Sequence, residues 1–402
     1  MAEKKSTKAK KLKFQPTSRA GKEYRTWFRG EHTNPLPHNR HMYKANGIQK
    51  YVLSGWTPEE PVITARTQVT AFGSCFAANI SNWLSKRSYN VLNKSEDAGN
   101  SYVVECGEGM VNSFVILQQF EWAWENKVFD QDLWHGYDTT AYGYDPEVQA
   151  QTKKMFDETD VFILTFGLSE IWYDEPTGNV FWRTIPKDAY DPKRHKFRVS
   201  SVEENKANMA KIYDLIRKHR PDAKIIFTLS PIPLQATFRP NSCMTSSSVS
   251  KSVLRVAIDE IVREKKDEGV LHYWPSYELV TDAFQMPFKQ DRRHVKEDVL
   301  DYIMMLFETT WCVDSALSDA ELLEGFIVAG ATAGIFPGVL KRIVEGKKAF
   351  RMEKILEREE LLPEPFADKA LRGMLSTLAE SWRGEADGKD SPEGEMSASS
   401  AA

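Results

Sequence analysis

The sequence predicts an α/β fold in which a parallel sheet is covered by helices. Residues 160–166 and 223–229 are apolar almost throughout, as expected of strands that are buried on both faces of a sheet. Helical stretches with one apolar face separate these runs from further short, β-favouring runs. This alternation continues over residues 61–312 and is typical of a parallel sheet with helical crossovers.

The predicted elements follow one another in a regular order. Strands are expected at residues 68–72, 89–92, 160–166, 223–229 and 270–274. Helices are expected at residues 75–86, 203–219, 250–267 and 296–307. Beyond about residue 315 the strand pattern stops and only helices are expected.

Composition and these elements divide the chain into four regions. Residues 1–60 are polar and rich in turn formers, which predicts an extended, partly disordered basic arm. Residues 61–312 form the α/β domain, and residues 313–383 form a helical extension. Residues 384–402 consist largely of Gly, Ser, Ala and acidic residues, which predicts a disordered tail.

Charge argues against a nucleic-acid partner. The chain has a hydrophobic fraction of 41% and a charged fraction of 27%, as globular proteins do, and a net charge of −4. No bulk attraction to nucleic acid is therefore expected. Residues 1–24 are locally basic, with seven lysines and Arg19. A solvated arm is favoured there over contact with phosphates or an anionic membrane.

Neither a secretory signal nor a membrane span is expected. No apolar stretch follows the basic residues at the start of the chain. Residues 326–340 are almost wholly apolar, but they fall short of the roughly 20 residues that a bilayer requires. Gly330, Gly334 and Gly338 recur there at intervals of four, which favours a buried pair of closely packed helices over membrane contact.

The four cysteines indicate reduced thiols in a cytoplasmic protein. They stand far apart at positions 75, 106, 243 and 312, without a CxxC pair or a Cys/His cluster. That spacing argues against a structural zinc site and against a disulfide framework. No metal and no organic cofactor are expected.

Four polar segments follow predicted strands. In an open parallel sheet, ligands bind outside the carboxyl ends of the strands, so these segments are expected to converge on one rim. They are Gly73-Ser74, Gly167-Leu168-Ser169-Glu170, Ser230-Pro231, and Asp291-Arg292-Arg293-His294.

The residue types at this rim suit nucleophilic catalysis. A serine hydroxyl such as that of Ser74 becomes nucleophilic when a neighbouring base takes its proton, and His294 is the candidate base. Asp291, three residues earlier, can hold the imidazole in one tautomer. Ser74 also begins a predicted helix, where backbone N–H groups and the helix dipole can stabilise an oxyanion.

Each of these residues taken alone has an ordinary structural interpretation. Ser74 between a strand and a helix is most often an N-cap, and Asp291 could cap the helix that follows it. His294 could be a structural histidine, and Glu170 could pair with an arginine. The catalytic hypothesis depends on the joint placement of these residues.

Residues 73–77 spell GSCFA, and the chain resembles the GSCFA family, which belongs to the SGNH/GDSL hydrolase superfamily. Further segments are similar to the family in the same order, over roughly residues 62–308. They are FILTFGLSEIW (162–172), TLSPIPLQATF (228–238), SKSVLR (250–255), YWPSYEL (273–279) and DRRH (291–294).

The resemblance implies a three-layer α/β/α, flavodoxin-like fold and a catalytic triad of Ser74, Asp291 and His294. It also implies three oxyanion donors: the backbone N–H of the serine, a glycine and an asparagine. The glycine is expected to be Gly109, with Gly107 as the competitor. The family pattern Gly-x-Asn-Asp reads here as Gly167-Leu168-Ser169-Glu170, so a serine stands where the superfamily has its asparagine.

The resulting hypothesis is a serine esterase or O-acyltransferase that acts on an acyl ester, with an O-acetyl glycan preferred as substrate. The superfamily and five tryptophans near the expected rim favour a glycan, although each tryptophan taken alone is more often a core residue. These tryptophans are Trp122, Trp124, Trp134, Trp172 and Trp182.

Two alternatives remain. One is a catalytically weak glycan- or anion-binding module of the same fold, which the missing asparagine and the basic pair Arg292-Arg293 favour. The other makes Cys75 the nucleophile, and it ranks lower because Cys75 is expected to leave the helix in a different direction from Ser74. The helical extension is a candidate cap for the rim, an extension of the core, or an oligomer interface.

Overall fold

The computed structural model describes residues 14–19, 22–28, 34–95, 98–129, 132–136, 138–358 and 368–389. In chain order its strands are β1 (Phe14–Arg19), β2 (Lys22–Phe28), β3 (Val69–Phe72), β4 (Val161–Phe166), β5 (Glu170–Asp174), β6 (His195–Val199), β7 (Lys224–Leu229) and β8 (Leu271–Trp274). Four of them, β3, β4, β7 and β8, form the main sheet.

The helices occupy most of the connections. They are α1 (Asn39–Met42), α2 (Cys75–Lys86), α3 (Tyr102–Cys106), α4 (Ser113–Glu125), α5 (Pro146–Glu158), α6 (Val202–His219), α7 (Cys243–Lys265), α8 (Ser276–Thr281), α9 (Glu297–Trp311), α10 (Asp319–Thr332), α11 (Val339–Val344), α12 (Ala349–Leu356) and α13 (Asp368–Lys389). Within the predicted arm, β1 and β2 pair antiparallel, and residues 1–13 lie outside the described part of the chain.

The main sheet is parallel and has the strand order β3-β4-β7-β8. On the outer side of β3, Val91 joins Val69 through a single parallel bridge. The order of the chain across the sheet is therefore 2-1-3-4-5, as in flavodoxin. The strand expected at residues 89–92 is reduced to this one bridge, because the chain enters a 3₁₀ turn at Leu92–Lys94.

Alternate residues of each strand enter two separate cores. In β4, Val161 and Ile163 pack with α2 and α9 on one face, while Phe162, Leu164 and Phe166 pack with α4, α6 and α7 on the other. Every residue of β4 is buried, which explains why this strand reads as a continuous apolar run. Two helical layers around one sheet confirm the predicted three-layer fold.

Several elements differ from the prediction. The hairpin of β5 and β6 was not predicted, and neither were α4 and α5. The strands of the hairpin pair antiparallel from Glu170 opposite Val199 to Asp174 opposite His195, across a long connection that hides the pairing from local sequence patterns. Helix α7 begins at Cys243 rather than at residue 250, since serines fill its first turns.

The apolar run at residues 326–340 forms the predicted buried helix pair only in its first part, where α10 packs against α9. Helix α10 ends at Thr332, and Gly334 then takes a φ of +83°, which turns the chain back on itself. Phe336 lies against Gly330, where a Cβ atom would be only 2.4 Å from its ring. The small residue therefore admits a side chain of its own loop, not a second helix. No described helix has the length and apolarity that crossing a membrane would require.

The helical extension enlarges the core. Side chains of α10, α11 and α13 belong to the same buried cluster as α9 and the sheet, among them Phe326, Leu340 and Leu375. Helix α13 continues to Lys389, past residue 384 where a disordered tail was expected. Residues 390–402 of that tail lie outside the described residues.

Candidate active site

Ser74 lies at the carboxyl end of β3 and caps α2. Its hydroxyl accepts a hydrogen bond from the backbone N–H of Phe76 at 3.2 Å, and the residue is only 3% exposed. Ser74 is therefore the N-cap of α2, and its hydroxyl lies at the positive end of the helix dipole.

Gly73 fixes the approach to Ser74. Its φ is +122°, and a Cβ atom there would lie 2.1 Å from the backbone oxygen of Thr165 in β4. Its N–H donates to the backbone oxygen of Gly107 at 2.9 Å. A glycine is therefore required at position 73, because the turn presses directly on the neighbouring strand.

Asp291 and His294 form a pair in the loop before α9. Asp291 Oδ1 accepts the backbone N–H groups of Arg293 at 3.0 Å and His294 at 3.1 Å, and Oδ2 bonds His294 Nδ1. The Arg293 N–H first, and then the His294 ring, hold the pKa of the Asp291 carboxyl well below its ordinary value. Since an ionised carboxylate only accepts hydrogen bonds, Nδ1 donates, and Nε2 is left as the basic nitrogen.

Two helices bring this pair and Ser74 to the same edge of the sheet. Helix α2 begins directly after Ser74, and α9 begins three residues after His294. The two helices pack on one face of the sheet, and Trp83, late in α2, donates to Glu308, late in α9, at 2.7 Å. Both helices also follow strands of the same parallel sheet, α2 after β3 and α9 after β8, so they run in the same direction and their first turns lie at the same end.

The triad is not joined by hydrogen bonds in this structure. Among the described residues, no hydrogen bond connects the Ser74 hydroxyl to the His294 ring. The His294 side chain is 57% exposed, whereas Ser74 is buried. Catalytic hydrogen bonds often form only once a substrate is bound, so the assignment of Ser74, Asp291 and His294 stays a prediction.

The expected oxyanion donors occupy different positions around Ser74. Gly107 and Ser74 both line a small cavity of about 70 Å³. Gly109 lies under the guanidinium of Arg183, where a Cβ atom would be 2.0 Å from Nη2. The structure thus places the competitor, Gly107, beside the serine and Gly109 next to an arginine that the sequence did not single out.

Ser169 is completely buried. Its backbone N–H donates to Ser250 Oγ at 2.8 Å, and its carbonyl oxygen accepts from the N–H and the hydroxyl of Ser200. Its own hydroxyl has no hydrogen-bond partner among the described residues. That hydroxyl is the one donor of Ser169 left to replace the asparagine. Gly167 is held next to it, because its N–H donates to Val111 at 2.6 Å.

A larger cavity of about 560 Å³ opens beside this loop. The hairpin β5–β6 and its connection supply most of its wall, together with residues 234–238 after β7. Aromatic side chains that line it are Trp172, Phe181, Trp182, Phe197 and Phe238. Polar side chains that line it include Asn112, His135, Glu170, Arg183, Lys187 and Gln235.

Glu170 places a buried carboxylate in this cavity. The residue is 7% exposed, and both of its carboxylate oxygens accept from the Thr237 hydroxyl, at 2.8 and 2.9 Å. No ion pair of Glu170 occurs among the described residues, so its possible pairing with an arginine is not observed there. A buried carboxylate with lone pairs to spare can accept hydroxyl groups of a ligand.

Two of the five tryptophans line the cavity, Trp172 and Trp182. Trp122 and Trp124, both in α4, and Trp134 instead pack in the buried core, with Trp122 and Trp134 meeting edge to face at 5.1 Å between ring centroids. The core interpretation therefore holds for these three.

Sequence reasoning did not identify Asn112, His135 and Arg183 as cavity residues. Asn112 caps α4 with its side-chain oxygen, and a cap in front of an apolar run was the one local signal available. Among the described residues, no group of three or more His, Cys, Asp or Glu side chains could hold a metal ion.

Comparison with known protein families identifies one matching family. The model of the GSCFA family matches residues 68–307, a span from β3 to the middle of α9 that covers more than half of the chain. It includes Ser74, Asp291, His294 and the cavity hairpin. No curated protein matches the sequence.

Proposed function

Because the chain belongs to the GSCFA family, we propose that it is a serine ester hydrolase or O-acyltransferase in which Ser74 is the nucleophile. The observation that carries the proposal is the bonded pair of Asp291 and His294 at the edge of the sheet where Ser74 also lies. That pair supplies a base of defined tautomer, and the start of α2 supplies a site for an anion.

The proposed reaction has two stages. His294 Nε2 takes the proton of Ser74 while Oγ forms a bond to the ester carbonyl carbon. The resulting tetrahedral intermediate carries its negative oxygen at the start of α2. It collapses when the carbon–oxygen bond to the alcohol breaks and His294 returns the proton to that alcohol. Water or an acceptor hydroxyl then attacks the acyl-enzyme, with His294 again as the base. The bond between the acyl carbon and Ser74 Oγ breaks, His294 returns the proton to Oγ, and the acid or the new ester leaves.

The larger cavity supports an acylated glycan as the substrate. Trp172 and its aromatic neighbours offer faces for sugar rings, and Glu170 offers a buried acceptor for hydroxyl groups. The cavity and the small pocket at Ser74 are adjacent along one segment, since Gly107 lines the small pocket and Val111 lines the large one. A sugar held in the cavity could therefore present an O-acyl group across this segment to Ser74.

A catalytically weak binding module is the second candidate. The buried Ser74 hydroxyl, already engaged by the Phe76 N–H, and the lack of an asparagine at position 169 favour it. Both candidates use the same cavity, so they differ in turnover and not in ligand.

A serine-directed probe separates the two candidates. We expect a fluorophosphonate to label the purified protein and Ser74→Ala to abolish the labelling, while Cys75→Ala keeps it. Acetylated glycan oligosaccharides should slow the labelling and release acetate in the wild type. Labelling that persists in Ser74→Ala would reject Ser74 as the nucleophile. Glycan binding without any labelling or acetate release would reject the enzyme in favour of the binding module.

A further inference from the structure

A lysine with only 4% of its surface exposed lies at the carboxyl edge of the sheet. Lys251 belongs to α7, and its Nζ donates to the backbone oxygens of Gly167 at 2.6 Å and Ser230 at 2.7 Å. These two residues directly follow β4 and β7. One ammonium group therefore ties together the ends of the two central strands.

This charge has no carboxylate partner. Within the described part of the chain, the hydrogen bonds of Nζ go to these two carbonyl oxygens and to no acidic side chain. Two of its three N–H groups are thereby used. Burying a charge without a counter-ion is destabilising, so a lysine here needs a reason other than packing.

The charge of Lys251 interacts with Cys75, the residue that follows Ser74. The Cys75 thiol is the titratable side chain that acts on the ammonium among the described residues. Burial lowers the pKa of Lys251 to about 7, and the charge of Cys75 opposes that shift. Gly73, the residue before Ser74, lies against the backbone of Thr165 in β4. Thr165 is two residues before Gly167, so the Ser74 turn and the loop that Lys251 binds are neighbours.

The residue before Lys251 holds the same loop. Ser250 Oγ accepts the N–H of Ser169, while Lys251 binds the carbonyl oxygen of Gly167. Two successive residues of α7 therefore fix the segment in which the superfamily has its oxyanion asparagine. A serine at position 169 leaves that segment with a shorter donor.

We propose that Lys251 is a positioning residue for acyl transfer. By binding the Gly167 and Ser230 carbonyls it fixes the loop beside Ser74. Its positive charge stabilises the negative oxygen of the tetrahedral intermediate that forms on Ser74. The charge thereby compensates for the asparagine that the loop lacks. The catalytic part of the inference rests on the proposed function. The positioning part rests on the hydrogen bonds that Lys251 and Ser250 make to the loop, and the first measurement tests the action of the charge on Cys75.

Two substitutions separate the charge of Lys251 from its hydrogen bonds. Lys251→Gln keeps a donor for the carbonyls without the charge, and Lys251→Met removes both. Lys266→Gln, an exposed position next to the end of the same helix, is the matched control. All are made with Cys243→Ser, so that Cys75 is the one partly exposed thiol left, because Cys106 and Cys312 are buried.

The first measurement is the pH dependence of Cys75 alkylation by iodoacetamide, which needs no catalytic activity. Loss of the cation raises the thiol pKa, so we expect both Lys251 variants to react about three- to tenfold more slowly at pH 7. Lys266→Gln should match the parent. Equal rates in all four proteins would overturn the proposed field.

The second measurement is kcat on a short-chain ester. We expect both Lys251 variants to lose about 10- to 100-fold in kcat with KM unchanged. The cation is present below its pKa of about 7 and is lost above it, so parent kcat should decline as pH rises beyond 7. Lys251→Gln should remove that decline. A lower melting temperature with kcat and its pH profile unchanged would make Lys251 a structural clamp only.

Failure of the proposed function would look different from failure of this inference. A parent protein with no ester turnover rejects the enzyme, while the alkylation rates still decide whether Lys251 acts on Cys75. Should neither Lys251 variant fold, the alkylation profile of the parent decides. A thiol pKa below the ordinary value of about 8.5 supports the coupling, and one at or above it overturns the coupling.

Discussion

The two halves of the proposed triad are built in different ways. Ser74 is 3% exposed and is fixed by the sheet, through Gly73 pressed on β4 and through its own cap on α2. The side chain of His294 is 57% exposed and is fixed by Asp291, three residues earlier in the same loop. One half depends on contacts between distant segments, and the other on contacts within four residues.

This difference separates stability from rate. Buried, sterically constrained positions determine the free energy of unfolding, whereas exposed loop residues contribute little to it. Substitutions at the buried turn before Ser74 should therefore lower the free energy of unfolding. Substitutions at His294 should leave the stability unchanged and lower kcat. The cavity at Glu170 belongs to neither half, so it should govern affinity.

The largest effect is expected at His294. His294→Ala should lower kcat on an ester about 10⁴-fold, because no other base is bonded to Asp291 among the described residues. Its melting temperature should stay close to that of the wild type. Lys289→Ala, an exposed residue of the same loop that pairs with Glu297, is the control and should keep full activity. If kcat of the His294 variant were unchanged, neither His294 nor its loop would take part in catalysis.

The next effect is expected at Gly73 and concerns stability. Gly73→Ala combines a φ of +122° with a clash at 2.1 Å, and should lower the free energy of unfolding by roughly 3 kcal/mol in urea titrations. Gly55 also has a positive φ, of +87°, but nothing lies within 4 Å of its Cβ position. Gly55→Ala should therefore cost only about 1 kcal/mol. Equal losses in the two variants would show that the contact with Thr165 is unimportant.

The sheet could be predicted because its strands carry their evidence locally. Both faces of β4 and β7 are buried, so each strand is a continuous apolar run, and the polar residues that follow them mark the rim. The hairpin β5–β6 could not be predicted in the same way. Its strands include partly exposed residues, and their pairing depends on contacts between segments that lie about twenty residues apart.

Lys251 illustrates what a sequence pattern alone leaves out. Ser246, Ser247, Ser250 and Lys251 all lie on the buried side of α7, yet polar residues at helical spacing ordinarily mark the solvent face. Their burial becomes evident only once the ends of β4 and β7 are seen to need donors. The pairing of Asp291 with His294 was predictable because it is local. Whether the pair reaches Ser74 depends on a loop whose position no local pattern determines.

The smallest effect is expected at Glu170, and it tests whether affinity is separate from rate and stability. Glu170→Gln retains the shape of the side chain but replaces one acceptor oxygen with a donor, so a sugar that bonds both oxygens would lose one strong hydrogen bond. We expect KM for an acetylated glycan to rise about tenfold, or about 1.4 kcal/mol, with kcat nearly unchanged. Stability should not fall, because the variant no longer buries a charge.

Glu175→Gln is the matched control for this cavity. Glu175 is the next residue after β5 and is exposed, with Lys196 at 3.9 Å as its partner. Its replacement should leave KM, kcat and the melting temperature alone. If Glu170→Gln instead lowered kcat and left KM unchanged, the carboxylate would act in the transition state, and the cavity would have to be assigned to the chemistry of the rim and not to recognition of the glycan.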